Sequence, residues 1–296
     1  FRNCYSQAPW TKPAIATLFT GLDPASHQVL THKGQYSMPD AVMGREGDVD
    51  TDVLPGWTET LAEVFERAGY VTAGFVANPW IRGSVGFGQG FQTFDDRFAA
   101  NATSAEVIIE EAIRWLDQRP RDKPFFLYLH FMDVHDPYVA PESDYEALRD
   151  APGLGADRKL RERHLSKGLL RGLKRVGGGA WARDDQPDRL RLRTWRARYA
   201  AGVRAFDRRF QALLDYLARH ELDRESLLAI TSDHGEELFE HGGWAHGLNL
   251  YEHQLRVPLI VRRPKGAGAG TAVDRLVGLI DVAPTLLGWS GLEIPK

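Results

Sequence analysis

Hydrophobic and polar positions alternate along this chain in two periods. Val71-Thr72-Ala73-Gly74-Phe75-Val76-Ala77, Pro124-Phe125-Phe126-Leu127-Tyr128-Leu129, Leu227-Leu228-Ala229-Ile230-Thr231 and Leu255-Arg256-Val257-Pro258-Leu259-Ile260-Val261 are short, nearly unbroken apolar runs. Runs of that length bounded by turn formers predict buried strands. Pro258 marks the last as an edge or an entry. Between them the apolar spacing becomes helical. Leu61, Val64, Phe65 and Ala68 share a face over about 57–68, and Ile109, Ala112, Ile113 and Leu116 form a stripe behind a capping box of Thr103 and Glu106. Tyr199, Val203, Phe206, Phe210, Leu213, Leu214 and Leu217 predict a helix from Trp195. A helix through Thr11–Phe19 is stopped by Gly21, and a last one begins at Ile280 with Pro284 near its first turn. Helix and strand in alternation predict an α/β fold.

The strands end in polar chemistry: Asn78, Asp133 with His135, and Ser232-Asp233-His234-Gly235-Glu236-Glu237. Ligands of open α/β sheets bind at the carboxyl ends of strands. Asp offers hard oxygen and His borderline nitrogen, a mixture that suits Zn, Mn or Fe. Alone, Asp-His-Gly fits a surface turn as well as a ligand pair. Thr11 lies at or near a helix N-cap, where unsatisfied N–H groups and the dipole favour anions. A Gly/His-rich loop adds His241 and His246. Together these supply a hydroxyl nucleophile, metal ligands and proton carriers, the parts needed for ester hydrolysis at phosphorus or sulfur.

Composition changes this picture in three places. The 296 residues are 43% hydrophobic, enough for a sizeable core, and are read as one catalytic domain over 1–296. The net charge of −3 argues against a nucleic-acid partner, but it conceals an asymmetry: residues 158–209 hold 17 of the 37 Lys+Arg and 5 of the 40 Asp+Glu. That marks a basic helical insertion at about 142–195, read as a solvated excursion or as a collar attracting an anionic substrate. Cys4 is the single cysteine, so no internal disulfide forms and the redox compartment stays undecided. No apolar run reaches the length of a membrane span.

The sequence resembles the sulfatase branch of the alkaline phosphatase superfamily across nearly its whole length. The residues that carry this are Tyr5-Ser6-Gln7-Ala8-Pro9-Trp10-Thr11-Lys12-Pro13, Leu18-Phe19-Thr20-Gly21-Leu22-Asp23-Pro24, Gly69-Tyr70-Val71-Thr72-Ala73, Asp133-Val134-His135-Asp136-Pro137-Tyr138 and Thr231-Ser232-Asp233-His234-Gly235-Glu236. Tyr251-Glu252, Arg256-Val257-Pro258-Leu259-Ile260 and Asp281-Val282-Ala283-Pro284-Thr285 complete the set. The resemblance implies an alkaline-phosphatase-like three-layer α/β/α sandwich with a mixed, largely parallel sheet, truncated at both termini. It implies Thr11 as covalent nucleophile and metal ligand, Asp233 and His234 as further ligands, and His135 as a substrate contact and candidate leaving-group acid. His246 and Asn78 fall near the two substrate-contacting lysines of sulfatases, and His246 is offset by one residue in its spacing to Tyr251-Glu252.

Two departures refine the expectation. Family sulfatases carry Cys or Ser at the nucleophile, with an Arg following, and oxidise it to formylglycine. Here Thr11-Lys12-Pro13-Ala14-Ile15 offers neither group. Threonine nucleophiles belong to phosphoester-cleaving relatives such as nucleotide pyrophosphatases, lipoteichoic acid synthases and phosphoethanolamine transferases. The expectation is therefore a metal-dependent hydrolase or transferase, with Mn or Zn favoured over Ca or Mg. It would cleave phosphate, phosphodiester or sulfate esters of an anionic substrate through a covalent Thr11 intermediate. A true sulfatase and a catalytically silent relative are the alternatives. The second departure is that the family's first strand, with its Asp ligand some 40 residues before the nucleophile, is expected upstream of residue 1. Periplasmic or extracellular placement is favoured over cytoplasmic; oligomeric state and membrane association are left open.

Overall fold

In a computed structural model the structure describes residues 1–30, 52–100, 104–148, 151, 174–175, 181–182 and 189–295. Its centre is the Val71–Val76 strand, buried at every position. It runs parallel to Thr93–Asp95 on one side and to Phe125–His130 on the other, with Val71 opposite Phe125 and Val76 opposite His130. Asn3–Tyr5 lies parallel to Leu276–Gly278 and antiparallel to Arg256–Val257, and Leu228–Thr231 pairs antiparallel with Leu259–Arg262. Mixed pairing dominated by crossover connections is what alternating helices and strands require.

The pleat of the Phe125–His130 strand shows the layering. Phe125, Leu127 and Leu129 pack with Ile109, Leu116, Phe210, Leu213 and Leu217, from the helices Ala105–Gln118 and Arg189–Arg219. Phe126 and Tyr128 face the opposite layer, where Phe126 stacks on Phe65 at 4.7 Å between centroids and Tyr128 meets Phe19 edge-on at 4.8 Å. Helices Thr11–Thr20, Leu61–Arg67 and Val282–Trp289 form that layer. Successive residues of one strand thus serve two helical layers, which explains why its sequence is apolar throughout rather than alternating. Among the described residues, no strand pairs with the other edge of Phe125–His130 or of Leu228–Thr231, and side chains there are mostly half-buried.

Several expectations shift in detail. The helix expected from about 57 starts at Leu61, capped by Thr60 in a reciprocal box with Glu63. Thr103 lies outside the described residues; Ser104 is the N-cap of Ala105–Gln118 and makes no side-chain cap bond. The orphan Ala105 N–H donates instead to Asp133 Oδ2 at 2.8 Å, so a tertiary contact replaces the local cap. The apolar run 255–261 is broken at Pro258, which has no N–H to donate. Its halves pair with different strands. Gly21 ends its helix in the left-handed region at φ 68°, as the sequence predicts. The helix placed from Trp195 begins at Arg189.

The flanks of the basic stretch belong to the fold. Buried Asp144 of the Glu142–Leu148 helix accepts from Arg208 at 2.6 Å and lies 3.4 Å from Arg204, both on Arg189–Arg219. Most of the stretch between them lies outside the described residues. No helix among the described residues is long and apolar enough to cross a membrane.

Candidate active site

Thr11 is the first residue of its helix, and Trp10, with extended φ −159° and ψ 161°, is the N-cap. The Thr11 hydroxyl is therefore not the cap. Its Oγ1 lies 3.3 Å from His234 Nε2 and accepts from Asn78 Nδ2, also at 3.3 Å. The Asn78 amide is oriented by Trp80 N–H, which donates to Oδ1 at 2.9 Å and leaves Nδ2 to face Thr11. Nine of the ten residues of this helix are buried. Buried His27 fastens it from the side. Val29 N–H donates to His27 Nδ1 at 3.0 Å, so the neutral ring carries its proton on Nε2, 3.1 Å from Thr17 Oγ1.

Asp233 and His234 follow the Leu228–Thr231 strand after Ser232. Ser232 Oγ donates to the His234 carbonyl at 2.6 Å, closing a tight turn. Gly235 has a steric reason: a Cβ there would sit 2.1 Å from the His253 carbonyl oxygen. Its N–H donates to the Gln254 carbonyl at 2.7 Å, tying the turn to the Glu252–Leu255 segment. His234 Nδ1 lies 2.8 Å from the Gly235 carbonyl. A carbonyl only accepts, so Nδ1 carries the proton and Nε2 presents a lone pair toward Thr11. The same logic holds for His135, whose Nδ1 lies 2.7 Å from the Asp136 carbonyl. His246 Nδ1 lies 2.9 Å from Glu236 Oε1. The His246 ring sits 4.1 Å from that of His234 and 5.0 Å from that of His135, so three imidazoles gather beside Thr11.

Charge in this pocket is set by burial and by opposite neighbours. Burial works to raise the Asp233 pKa, but His234, His130 and the Thr11 hydroxyl outweigh it and hold the carboxyl below its usual range. Its Oδ2 is buried with no hydrogen-bond partner. Burial lowers His234, against the pull of Asp233. Among the described residues no group of three or more His, Cys, Asp or Glu is arranged to hold a metal ion. The orphaned Asp233 oxygen and the His234 Nε2 lone pair nevertheless fit a divalent cation, as two of its ligands with Thr11 beside them.

The structure brings together Thr11, Asn78, His135, Asp233, His234 and His246. It leaves two others outside: His241 stacks on Tyr251 at 3.7 Å, and Asp133 pairs with Arg209 and caps the Ala105 helix. It also adds residues that sequence reasoning passes over. His130, hidden at the end of an apolar strand, is buried with an unpartnered Nδ1, and burial pushes it down to about 4. Glu236 is the buried partner of His246. Glu237 is wholly buried and accepts from His241 N, Gly243 N, Asn249 Nδ2 and Gln254 Nε2, which shapes the loop that carries His246. Lys12, buried next to the candidate nucleophile, is pushed down to about 8 by burial, with Asp52 acting the other way. An acidic pair directly after Asp-His-Gly was the one available signal for the two glutamates.

Comparison with known proteins places this geometry. The family described as Sulfatase matches residues 1–292. The choline-sulfatase of Rhizobium meliloti (strain 1021) is 26% identical over 337 residues, covering all of this chain, which spans 61% of that relative's length. Among solved structures, BT4656 in complex with its substrate D-glucosamine-2-N,6-O-disulfate superposes with a TM-score of 0.71 at 21% identity, over 99% of this chain and 69% of that one. The phosphonate monoester hydrolase of Agrobacterium radiobacter superposes with a TM-score of 0.69 at 22% identity, over 98% of this chain and 66% of that one. These neighbours share the alkaline-phosphatase-like α/β fold. With residues 1–292 matched by its model, the chain belongs to the sulfatase family.

Proposed function

We propose that this chain carries the centre of a metal-dependent phosphoester or phosphodiester hydrolase or transferase working through a covalent Thr11 intermediate. The observation that carries this reading is the Thr11 hydroxyl, not used as a cap and held between His234 Nε2 and Asn78 Nδ2. Thr11, Asp233 and His234 would hold a divalent cation, Mn or Zn, which when bound lowers the hydroxyl pKa and neutralises charge growing on the substrate oxygens. A further carboxylate ligand would fit beside Asp233 Oδ2, which is buried without a hydrogen-bond partner.

Asn78 donates to Thr11 Oγ1, so the hydroxyl's own proton points away from Asn78, toward the Asp233–His234 pair. Release of that proton to solvent would free Oγ1 to attack phosphorus in line with the departing oxygen. The Oγ1–P bond forms as the P–O bond breaks, and His135 or His246 returns a proton to the leaving alcohol. Water or an acceptor alcohol then releases the phosphothreonine. His135, His246 and Asn78 also line the space in which the anion's oxygens would lie.

A sulfate ester is the second reading, motivated by the sulfated sugar bound by BT4656. It lacks the oxidisable nucleophile, because a secondary alcohol such as Thr11 has no route to formylglycine. The deciding experiment compares phosphodiester and aryl sulfate turnover, with Mn, Zn or Ca supplied, for the full chain and for Thr11→Ala. The proposal expects phosphodiester turnover to dominate and to fall by roughly 10³-fold or more in Thr11→Ala. A folded Thr11→Ala variant with near-normal rates removes Thr11 from the mechanism.

A further inference from the structure

We propose that Glu236 is the positioning residue for His246, holding its ring by Nδ1 so that Nε2 faces the Thr11–His234 space and His246, rather than His135, protonates the leaving group. This rests on the covalent Thr11 reading above.

The three imidazoles beside Thr11 are anchored differently. His234 and His135 are each tethered by the backbone carbonyl of the next residue, a local and neutral acceptor. His246 alone is tethered by a side chain from a distant part of its loop, through the 2.9 Å bond from Nδ1 to Glu236 Oε1. The Glu236 side chain is only 6% exposed and that of His246 18%. The tether thus lies inside the fold, with a carboxylate oxygen as its acceptor. A charge-assisted bond of this kind is about twice as strong as one to a neutral carbonyl and fixes both tautomer and ring orientation. The backbone alone does not: Ala245 and Gly247, on either side of His246, have φ of 70° and 85°. A left-handed turn on both flanks aims the Cβ but leaves the ring free to rotate, and Glu236 removes that freedom.

The location suits the task. The His246 ring contacts those of both His234 and His135, with centroids at 4.1 and 5.0 Å. In the step itself the P–O bond to the leaving alcohol breaks, its electron pair stays on oxygen, and that oxygen takes from His246 Nε2 a proton that the ring has drawn from solvent. The Nδ1–H stays on the ring and donates to Glu236 throughout. The side-chain tether fixes the His246 ring more firmly than the backbone carbonyl of Asp136 fixes that of His135.

The test combines a spectrum with a leaving-group comparison. Long-range proton–nitrogen NMR of the full chain should show His246 protonated at Nδ1, and Glu236→Ala should shift it to the ordinary Nε2–H form. Two phosphodiesters that share the transferred group are then compared, one releasing 4-nitrophenolate and one an alkoxide. Glu236→Ala should lower kcat for the alkoxide substrate about 100-fold with KM little changed, and lower the nitrophenyl rate no more than about threefold. Glu236→Gln, which retains a carbonyl acceptor, should fall between. Equal losses on both substrates would make the pair merely structural and overturn the proposal. So would a wild-type spectrum in which the only ring proton of His246 is on Nε2, which decides the matter even if Glu236→Ala does not fold. Wild-type turnover by Thr11→Ala would instead overturn the covalent reading, and the spectrum would still judge Glu236.

Discussion

Replacing Glu237 should loosen the His246 loop by a predictable amount. The carboxylate is fully buried, and its two oxygens divide the work. Oε1 accepts from His241 N at 3.1 Å and Gly243 N at 2.8 Å; Oε2 accepts from Asn249 Nδ2 at 2.6 Å and Gln254 Nε2 at 3.4 Å. Bonds to a charged acceptor contribute about 1.5–3 kcal/mol each, so the two short ones dominate and Glu237→Ala should cost about 3–5 kcal/mol. Glu237→Gln keeps an oxygen for the two backbone N–H groups but turns an NH₂ toward Asn249 Nδ2. Asn249 cannot simply invert, because its Oδ1 accepts from Tyr251 N at 3.1 Å. Gln should therefore cost about 1–3 kcal/mol, less than Ala. Urea unfolding gives the two values, and hydrogen exchange at the Gly243 and Gly247 amides shows whether the loss is local. The Glu237 carboxyl sits below its usual range because these four donors outweigh its burial. Its contribution is thus present above its unfolded pKa and is lost as pH falls through the folded one. Costs under about 0.5 kcal/mol for both variants, or Gln as damaging as Ala, would refute this account of the loop.

Other outcomes follow from single contacts. Gly235→Ala should displace the Asp233–His234 turn, since its Cβ would lie 2.1 Å from the His253 carbonyl oxygen; turnover and urea stability should both drop, and unchanged values would show that the turn adapts freely. His130 binds fewer protons folded than unfolded between its ordinary pKa of 6.5 and its folded value of about 4. Stability should therefore fall as pH is lowered through that window, by about 3 kcal/mol in all, and His130→Gln should flatten the slope in pH-dependent denaturation. Chelation should abolish turnover, with Mn or Zn restoring it better than Ca; activity indifferent to chelators would count against Asp233 and His234 as ligands.

What the sequence revealed was mostly local chemistry. Thr11, Asp233 and His234 are legible because a helix start and a strand end place side chains without help from the rest of the chain, and the strands are legible from their length and apolarity. Gly21 stops its helix as its type requires. What escaped depends on distant partners. Asp133 looks like site chemistry until Arg209 and the Ala105 N–H claim it. His130 hides inside an apolar strand, and the partners of Glu236 and Glu237 come into view only where the loop folds back over them. The split of the 255–261 run at Pro258 was foreshadowed by the missing N–H, but not the assignment of each half to its own strand.

The central claim is that Thr11 forms a covalent bond to the transferred group. Rapid quenching of the full chain during phosphodiester turnover, followed by peptide mass spectrometry, addresses it directly. The account predicts that the Thr11 peptide gains one transferred phosphoryl group, that the gain disappears after chase with unlabelled acceptor, and that Thr11→Ala abolishes both label and turnover. Steady turnover with the Thr11 peptide unmodified, or with the label on another residue, would contradict it.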